Sequence, residues 1–258
     1  MVNYIENSNT YFKMLIEQVL NEKKVLIDNF DKVVKMLEFN SDDDFYFVQI
    51  IKRYKDNQDD NKNQGNYHAG AWYPHKGWRI HSAEELMKLK PQIINICNSE
   101  NARAYITVNY RSEKETNAHI VKMRSKWSKR DPRYAHAEDI IPGAARWEGD
   151  AWKGKRLRFF IDIDPTPEYT KDPQKLQWLF NEVRKIIKMC DMTPIDEYYT
   201  PSGGLHIILP NREHENMVYL EKMLQRFDNW EDKGRLALAH PNKDAKIILY
   251  SNVDTKGY

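Results

Sequence analysis

Apolar residues recur at three- and four-residue spacing from Tyr11 to Leu37, through Leu15, Ile16, Val19, Phe30, Val33 and Val34, which predicts helix over 9–38. The polar run Asn40-Ser41-Asp42-Asp43-Asp44 punctuates it. Phe45 to Ile51 is then rich in aromatic and β-branched residues and predicts a strand. Residues 55–78 read as a loop, polar from Asp56 to Gly65 and broken by Gly70, Pro74 and Gly77. Ser82 is a candidate N-cap for a helix over 83–98, and Ala102 to Tyr110 is another strand candidate. From 111 to about 153 the periodicity dissolves into Lys, Arg, Trp and Tyr with scattered prolines.

The signal sharpens from 154 onward. Leu157 to Asp164 predicts a strand stopped by Pro165 and Pro167. Asp172-Pro173 opens a helix to about Cys190, with Leu176, Leu179, Val183, Ile186 and Ile187 on its apolar face. Residues 197–200 and 205–209 predict a hairpin around Pro201-Ser202-Gly203-Gly204. A helix over 215–228 and a strand over 246–250 follow. The order strand, helix, strand, strand, helix, strand predicts a ferredoxin-like, RRM-like sheet with helices on one face, within an α+β fold. The expected organisation is a helical segment over 1–40, an α/β lobe over 41–150 and the RRM-like lobe over 151–258.

Strand alternation places Leu157, Phe159, Ile161 and Ile163 on one face and Arg158, Phe160, Asp162 and Asp164 on the other. Two carboxylates on one face at a strand's end repel unless a cation lies between them. Mg²⁺ suits such a pair, because it takes one or two carboxylates together with phosphate oxygens. Two ions can clamp an in-line phosphoryl displacement. The tripeptide Asp162-Ile163-Asp164 alone also fits a solvated strand end. In the hairpin, Gly203 and Gly204 permit positive φ and close backbone approach to a ligand, while Ser202 offers a hydroxyl to phosphate oxygens. His206 stands just inside the next strand, where an imidazolium would face a triphosphate.

The combination Phe-Phe-Ile-Asp162-Ile-Asp164 followed by Ser202-Gly203-Gly204-Leu205-His206-Ile207 resembles the archaeo-eukaryotic primase superfamily, which includes primase-polymerases. The resemblance covers roughly residues 155–258, with 40–110 fitting loosely as the other half of a two-lobed catalytic core. It implies a DNA-dependent primase or polymerase that makes or extends primers on a single-stranded DNA template. Asp162 and Asp164 would bind two Mg²⁺ or Mn²⁺ ions. Ser202, Gly203, Gly204 and His206 would hold the triphosphate of an NTP or dNTP. The family's third carboxylate lies on a late strand beside the first; Asp254 is the choice, with Asp244 as competitor. Family members usually continue past the equivalent of Tyr258 through another, basic strand. Rival readings of the same residues are a metal-dependent phosphodiesterase or nuclease, and a non-catalytic RRM-like module that stacks bases on Phe160.

Composition qualifies this picture. The 258 residues carry 40 Lys+Arg against 38 Asp+Glu, a formal charge of +2 that by itself discourages a nucleic-acid partner. The sum hides opposed regions. Arg103 to Arg133 holds nine Lys/Arg and three Asp/Glu, whereas the N-terminal third contains acidic runs. Trp127, Tyr134, Trp147 and Trp152 are interleaved with the basic residues there and just beyond, as single-stranded nucleic acid requires of its binders. Arg111, Lys122, Arg124, Lys126, Lys129 and Arg130 are the candidate nucleic-acid contacts; Arg158, on the carboxylate face, is the candidate phosphate contact, and Arg103 a weaker one. His68, His75 and His81 lack the spacing of a common zinc knuckle. Cys97 and Cys190 read as small core hydrophobes, and two cysteines exclude a disulfide framework. No apolar run reaches the roughly 20 residues of a membrane helix, so no membrane partner is expected. A cytoplasmic protein is expected, in a bacterial host if phage-encoded. No helicase P-loop is present, so unwinding would need a separate helicase.

Overall fold

Long-range backbone pairing organises the described residues into two antiparallel sheets. The structure is a computed structural model that describes residues 26–57, 71–72, 75, 77–125, 157–210, 214–225, 234–239 and 245–253. The elements of the larger sheet begin with β1 (Ile27–Asp28), α1 (Phe30–Met36) and β2 (Asp44–Arg53), then a 3-10 turn at Tyr54–Asp56. They continue through β3 (Ala71–Trp72), β4 (Trp78–Ile80), α2 (Ala83–Glu100), β5 (Arg103–Thr107), β6 (Arg111–Ser112) and α3 (Glu113–Ser125). The second sheet follows: β7 (Arg158–Pro165), α4 (Pro167–Thr170), α5 (Pro173–Met189), β8 (Asp196–Tyr199), β9 (Leu205–Pro210), α6 (His214–Gln225) and β10 (Gly234–Ala239). The chain then returns to the larger sheet as β11 (Lys246–Ser251).

The four-stranded sheet runs β10-β7-β9-β8, all antiparallel. With α5 between β7 and β8, and α6 between β9 and β10, this is the split β-α-β connectivity that the pattern predicted. Its last strand is not the predicted one. β10 closes the sheet beside β7, whereas residues 246–251 pair with β5 and β1 in the larger sheet. The segment Gly234-Arg235-Leu236-Ala237-Leu238-Ala239 was overlooked because two alanines and a glycine give its alternation little contrast.

Three further expectations change. Helix over 9–38 does not run through residues 26–29: Ile27 and Asp28 pair with Ser251 and Tyr250, and only Phe30–Met36 is helical in the described part. The region read as a loop over 55–78 contributes β3 and the start of β4, both drawn onto β2. Residues 113–125, where periodicity failed, are helical. That helix is anchored at its start: the Lys114 N–H donates to Asp43 Oδ1 at 2.9 Å, and the Glu115 N–H to Ser112 Oγ at 3.0 Å.

Among the described residues two large apolar clusters hold the layers, and Phe45 and Phe47 form a small third. Phe159, Ile161, Ile163, Leu205, Ile207 and Leu209 pack one face of the small sheet on α5 and α6. Its other face is covered as well: Phe160, Tyr198 and Ile208 join Tyr46, Val48 and Ile106 of the larger sheet in one contiguous core. Ser82 caps α2 as predicted, its side chain accepting from Glu85 N–H at 3.1 Å, and Asp172 caps α5 through Gln174 and Lys175. Among the described residues no helix is long and apolar enough to cross a membrane.

Candidate active site

The outer face of β7 changes character along its length. Arg158 and Phe160 are 4% and 6% exposed, whereas Asp162 and Asp164 are only partly buried. The carboxylates therefore sit where β7 leaves the packing between the sheets. Pro165 and Pro167 then turn the chain into the short helix α4.

Pairing between β7 and β9 brings the second motif to the first. His206 stands directly opposite Asp162, with Nε2 3.3 Å from Asp162 Oδ1. The edge of Phe160 closes one side of the imidazole at 5.1 Å between ring centroids, and Tyr198 of β8 is the next residue across. His206 Nδ1 is buried without a hydrogen-bond partner among the described residues. The Asp162 carboxylate and the Phe160 ring flank the imidazole.

The turn between β8 and β9 is knitted by Thr200. Its N–H donates to Gly204 O at 2.9 Å, its carbonyl accepts from Gly203 N–H at 3.0 Å, and its Oγ1 accepts from Gly204 N–H at 2.9 Å. Gly203 adopts φ +77°, the left-handed region that favours glycine. Gly204 is required for a different reason from the one the sequence suggested. A Cβ there would meet Ile163 O at 2.6 Å, Thr200 Oγ1 at 2.8 Å and Asp164 Oδ1 at 3.4 Å. The close approach at Gly204 is thus to the acidic strand itself. A Cβ on Gly203 would meet Thr170 Cγ2 at 3.0 Å, so α4 buttresses the turn from the other side. Thr200 and Thr170 were not singled out from sequence; the threonine directly before Pro201-Ser202-Gly203-Gly204 was the available signal.

For the third carboxylate, the described residues give the neighbouring strands but neither candidate side chain. The late strand beside β7 is β10, which sets Arg235 opposite Asp164 and Ala237 opposite Asp162 and contains no acidic residue. β11, the strand leading toward Asp254, lies between β1 and β5 in the larger sheet rather than beside β7. Asp254 and Asp244 themselves lie outside the described residues. Among those residues, no group of three or more His, Cys, Asp or Glu is gathered to hold a metal ion. The donors that are present are hard oxygens on one strand face. That set fits Mg²⁺ or Mn²⁺ completed by phosphate oxygens and water.

Several predicted contacts have other employment. Arg158 shares the carboxylates' strand face but is buried, with Nη1 donating to Tyr46 Oη and Val108 O at 3.1 Å each and Nη2 to Met36 O at 2.5 Å. Glu38 is 3.3 Å from the same guanidinium. Arg158 is an internal brace between the sheets, not a phosphate contact. Arg111 is 3% exposed and donates to Tyr110 O, which removes it from a nucleic-acid surface. Arg103 forms a bidentate pair with Asp56, at 2.6 and 2.8 Å, in a buried setting. Phe160 is buried between the sheets, so it does not present a ring for base stacking. Lys122 is exposed on α3, and Arg124 belongs to the same helix. Lys126, Lys129 and Arg130 lie outside the described residues.

Of the three loop histidines, His68 lies outside the described residues. His75 stacks on Trp78 at 3.9 Å, and burial lowers its pKa. His81 Nδ1 is 3.2 Å from Asp44 O, and its Nε2 is 3.4 Å from Glu113. Cys97 is buried against α2's apolar neighbours, and burial pushes its thiol up to about 12. No protein-family model matches the chain, and neither does any curated protein or solved structure.

Proposed function

We propose that the protein is a metal-dependent nucleotidyl transferase of the primase-polymerase type, making or extending primers on a single-stranded DNA template. The observation that carries this reading is the meeting of the two motifs: Asp162 faces His206 across one strand pair, and Gly204 packs against Asp164. Two sequence signals some 40 residues apart converge on one strand end.

In this reading Asp162 and Asp164 hold the divalent ions, which would lower the pKa of an attacking 3′-hydroxyl and neutralise charge on the departing pyrophosphate. The chain's own groups bind and orient the nucleotide. His206 is 6% exposed with Nε2 3.3 Å from Asp162 Oδ1, so it orients that carboxylate from within the sheet. Ser202, half-exposed at the turn, donates to a phosphate oxygen. The carboxylates stay where hydration is incomplete, which strengthens their attraction for a cation relative to bulk water. NTPs or dNTPs are the substrates, and the basic residues from Lys122 onward contact the template.

The test is extension of a primed and an unprimed single-stranded template by the purified protein with Mn²⁺ and a mixture of nucleotides. Product longer than the primer is expected. Asp162→Asn and Asp164→Asn should each reduce it at least about a hundredfold, since even the residues behind metal ligands typically contribute ten- to a hundredfold. Shortening of the template instead would assign the site to phosphodiester hydrolysis. Activity that survives the double replacement would remove the carboxylates from the mechanism.

A further inference from the structure

The turn that carries Ser202 contains a second hydroxyl, placed behind it. Thr200 is 7% exposed, so its hydroxyl is not positioned to meet a ligand itself. Its Oγ1 already accepts from Gly204 N–H at 2.9 Å and lies 3.4 Å from Ser202 Oγ. A hydroxyl has one proton and two lone pairs. With a lone pair of Thr200 engaged by Gly204, its proton is available to Ser202 Oγ. Ser202, accepting that proton, keeps its own for an outward donor bond. Either hydroxyl can donate across that 3.4 Å contact; with Thr200 donating, Gly204 N–H, Thr200 and Ser202 form one chain. Each bond in such a chain polarises the next.

We propose that Thr200 is the positioning residue of this turn, fixing Ser202 as a donor to a nucleotide phosphate; the proposal rests on the nucleotidyl-transfer reading above. Thr200 also ties the same turn to the acidic strand. Its Oγ1 holds Gly204, and Gly204 is the residue packed against Ile163 O and Asp164. One side chain therefore sets the distance between the phosphate-binding turn and the carboxylates.

The experiment measures binding of a non-hydrolysable dATP analogue with Mn²⁺, nucleotide KM and kcat in primer extension, and the thermal midpoint. It uses the full chain as wild type, Thr200→Val, Thr200→Ser, Ser202→Ala and the Thr200→Val/Ser202→Ala double variant, with Thr200→Ala repeating the test if valine does not fold. Thr200→Val should weaken binding and raise KM roughly three- to tenfold, the range of one lost neutral hydrogen bond, with kcat little changed. Thr200→Ser should stay within about twofold of wild type on the same scale. The double variant should bind no more weakly than Ser202→Ala alone, because both changes break one chain. Losses that multiply in the double variant, or a Thr200→Val protein whose midpoint falls while KM stays constant, would overturn the proposal and leave Thr200 a structural residue. Wild-type protein that binds no triphosphate would overturn the nucleotidyl-transfer reading first, and this inference with it.

Discussion

Gly204 shows how closely the two motifs are joined at the level of single atoms. Its missing side chain leaves space already taken by Ile163 O, a backbone atom that cannot rotate away. Gly204→Ala is therefore expected to destabilise by about 1–3 kcal/mol, as overpacking does, and to push the turn away from Asp164. Thermal unfolding measures the first effect. An unchanged midpoint would mean that the strand yields. The residue scale is also where the sequence was most and least reliable. Alternation correctly assigned Arg158, Phe160, Asp162 and Asp164 to one face, because strand geometry is local. It assigned no depth along that face. Arg158 and Phe160 turned out to be under the larger sheet, while the carboxylates four residues on are not. Burial depends on what lies opposite, and no local pattern encodes that.

At the scale of elements, β7 is held at its start by polar contacts. The Asn109 side chain pairs with the backbone of Arg158, accepting from its N–H at 2.6 Å and donating to its carbonyl at 2.9 Å. The Arg158 guanidinium then reaches the end of α1, β2 and the residue after β5. Arg158→Met keeps much of the side chain's length but strips Met36 O, Val108 O and Tyr46 Oη of a buried donor. A loss of about 1–3 kcal/mol is expected, the cost of leaving a buried neutral acceptor unpaired, readable in a denaturant midpoint. If Arg158 were instead a surface phosphate contact, stability would hardly move and nucleotide affinity would fall. Elements with strong local signals were legible: β7, α5, the β8–β9 hairpin and the capped start of α2. Those recruited by a neighbour were not. β1 interrupts a helical pattern because Ile27 and Asp28 find β11, and β3 lies in a loop-like segment because β2 offers an edge.

For the whole molecule, the decisive feature is the return of the chain. After β10 completes the small sheet, β11 crosses back to lie between β1 and β5. Lys32 of α1 reinforces the junction, 2.7 Å from Asp196 and above the Tyr198 ring at 4.3 Å. The two sheets share a core through Phe160, Tyr198 and Ile208. A fragment starting at residue 151 would expose those side chains and leave β11 without either neighbour. It is expected to lack a cooperative melting transition, whereas the full chain should melt as one unit. A sharp transition for the fragment, with native near-ultraviolet dichroism, would show that the small sheet is autonomous. The charge balance of +2 belongs to this scale as well, since acidic and basic segments far apart in the chain cancel in the sum.

By itself the sequence determined the strand, the hairpin and the long helix between them. Each of these follows from side-chain period, turn chemistry or capping within a few residues. Only the tertiary structure decided which strand flanks β7, which charged residues are internal braces and what Gly204 packs against. Strand partnership and burial are settled by contacts between segments far apart in the chain, where backbone groups and apolar faces seek whichever complementary surface the rest of the fold supplies.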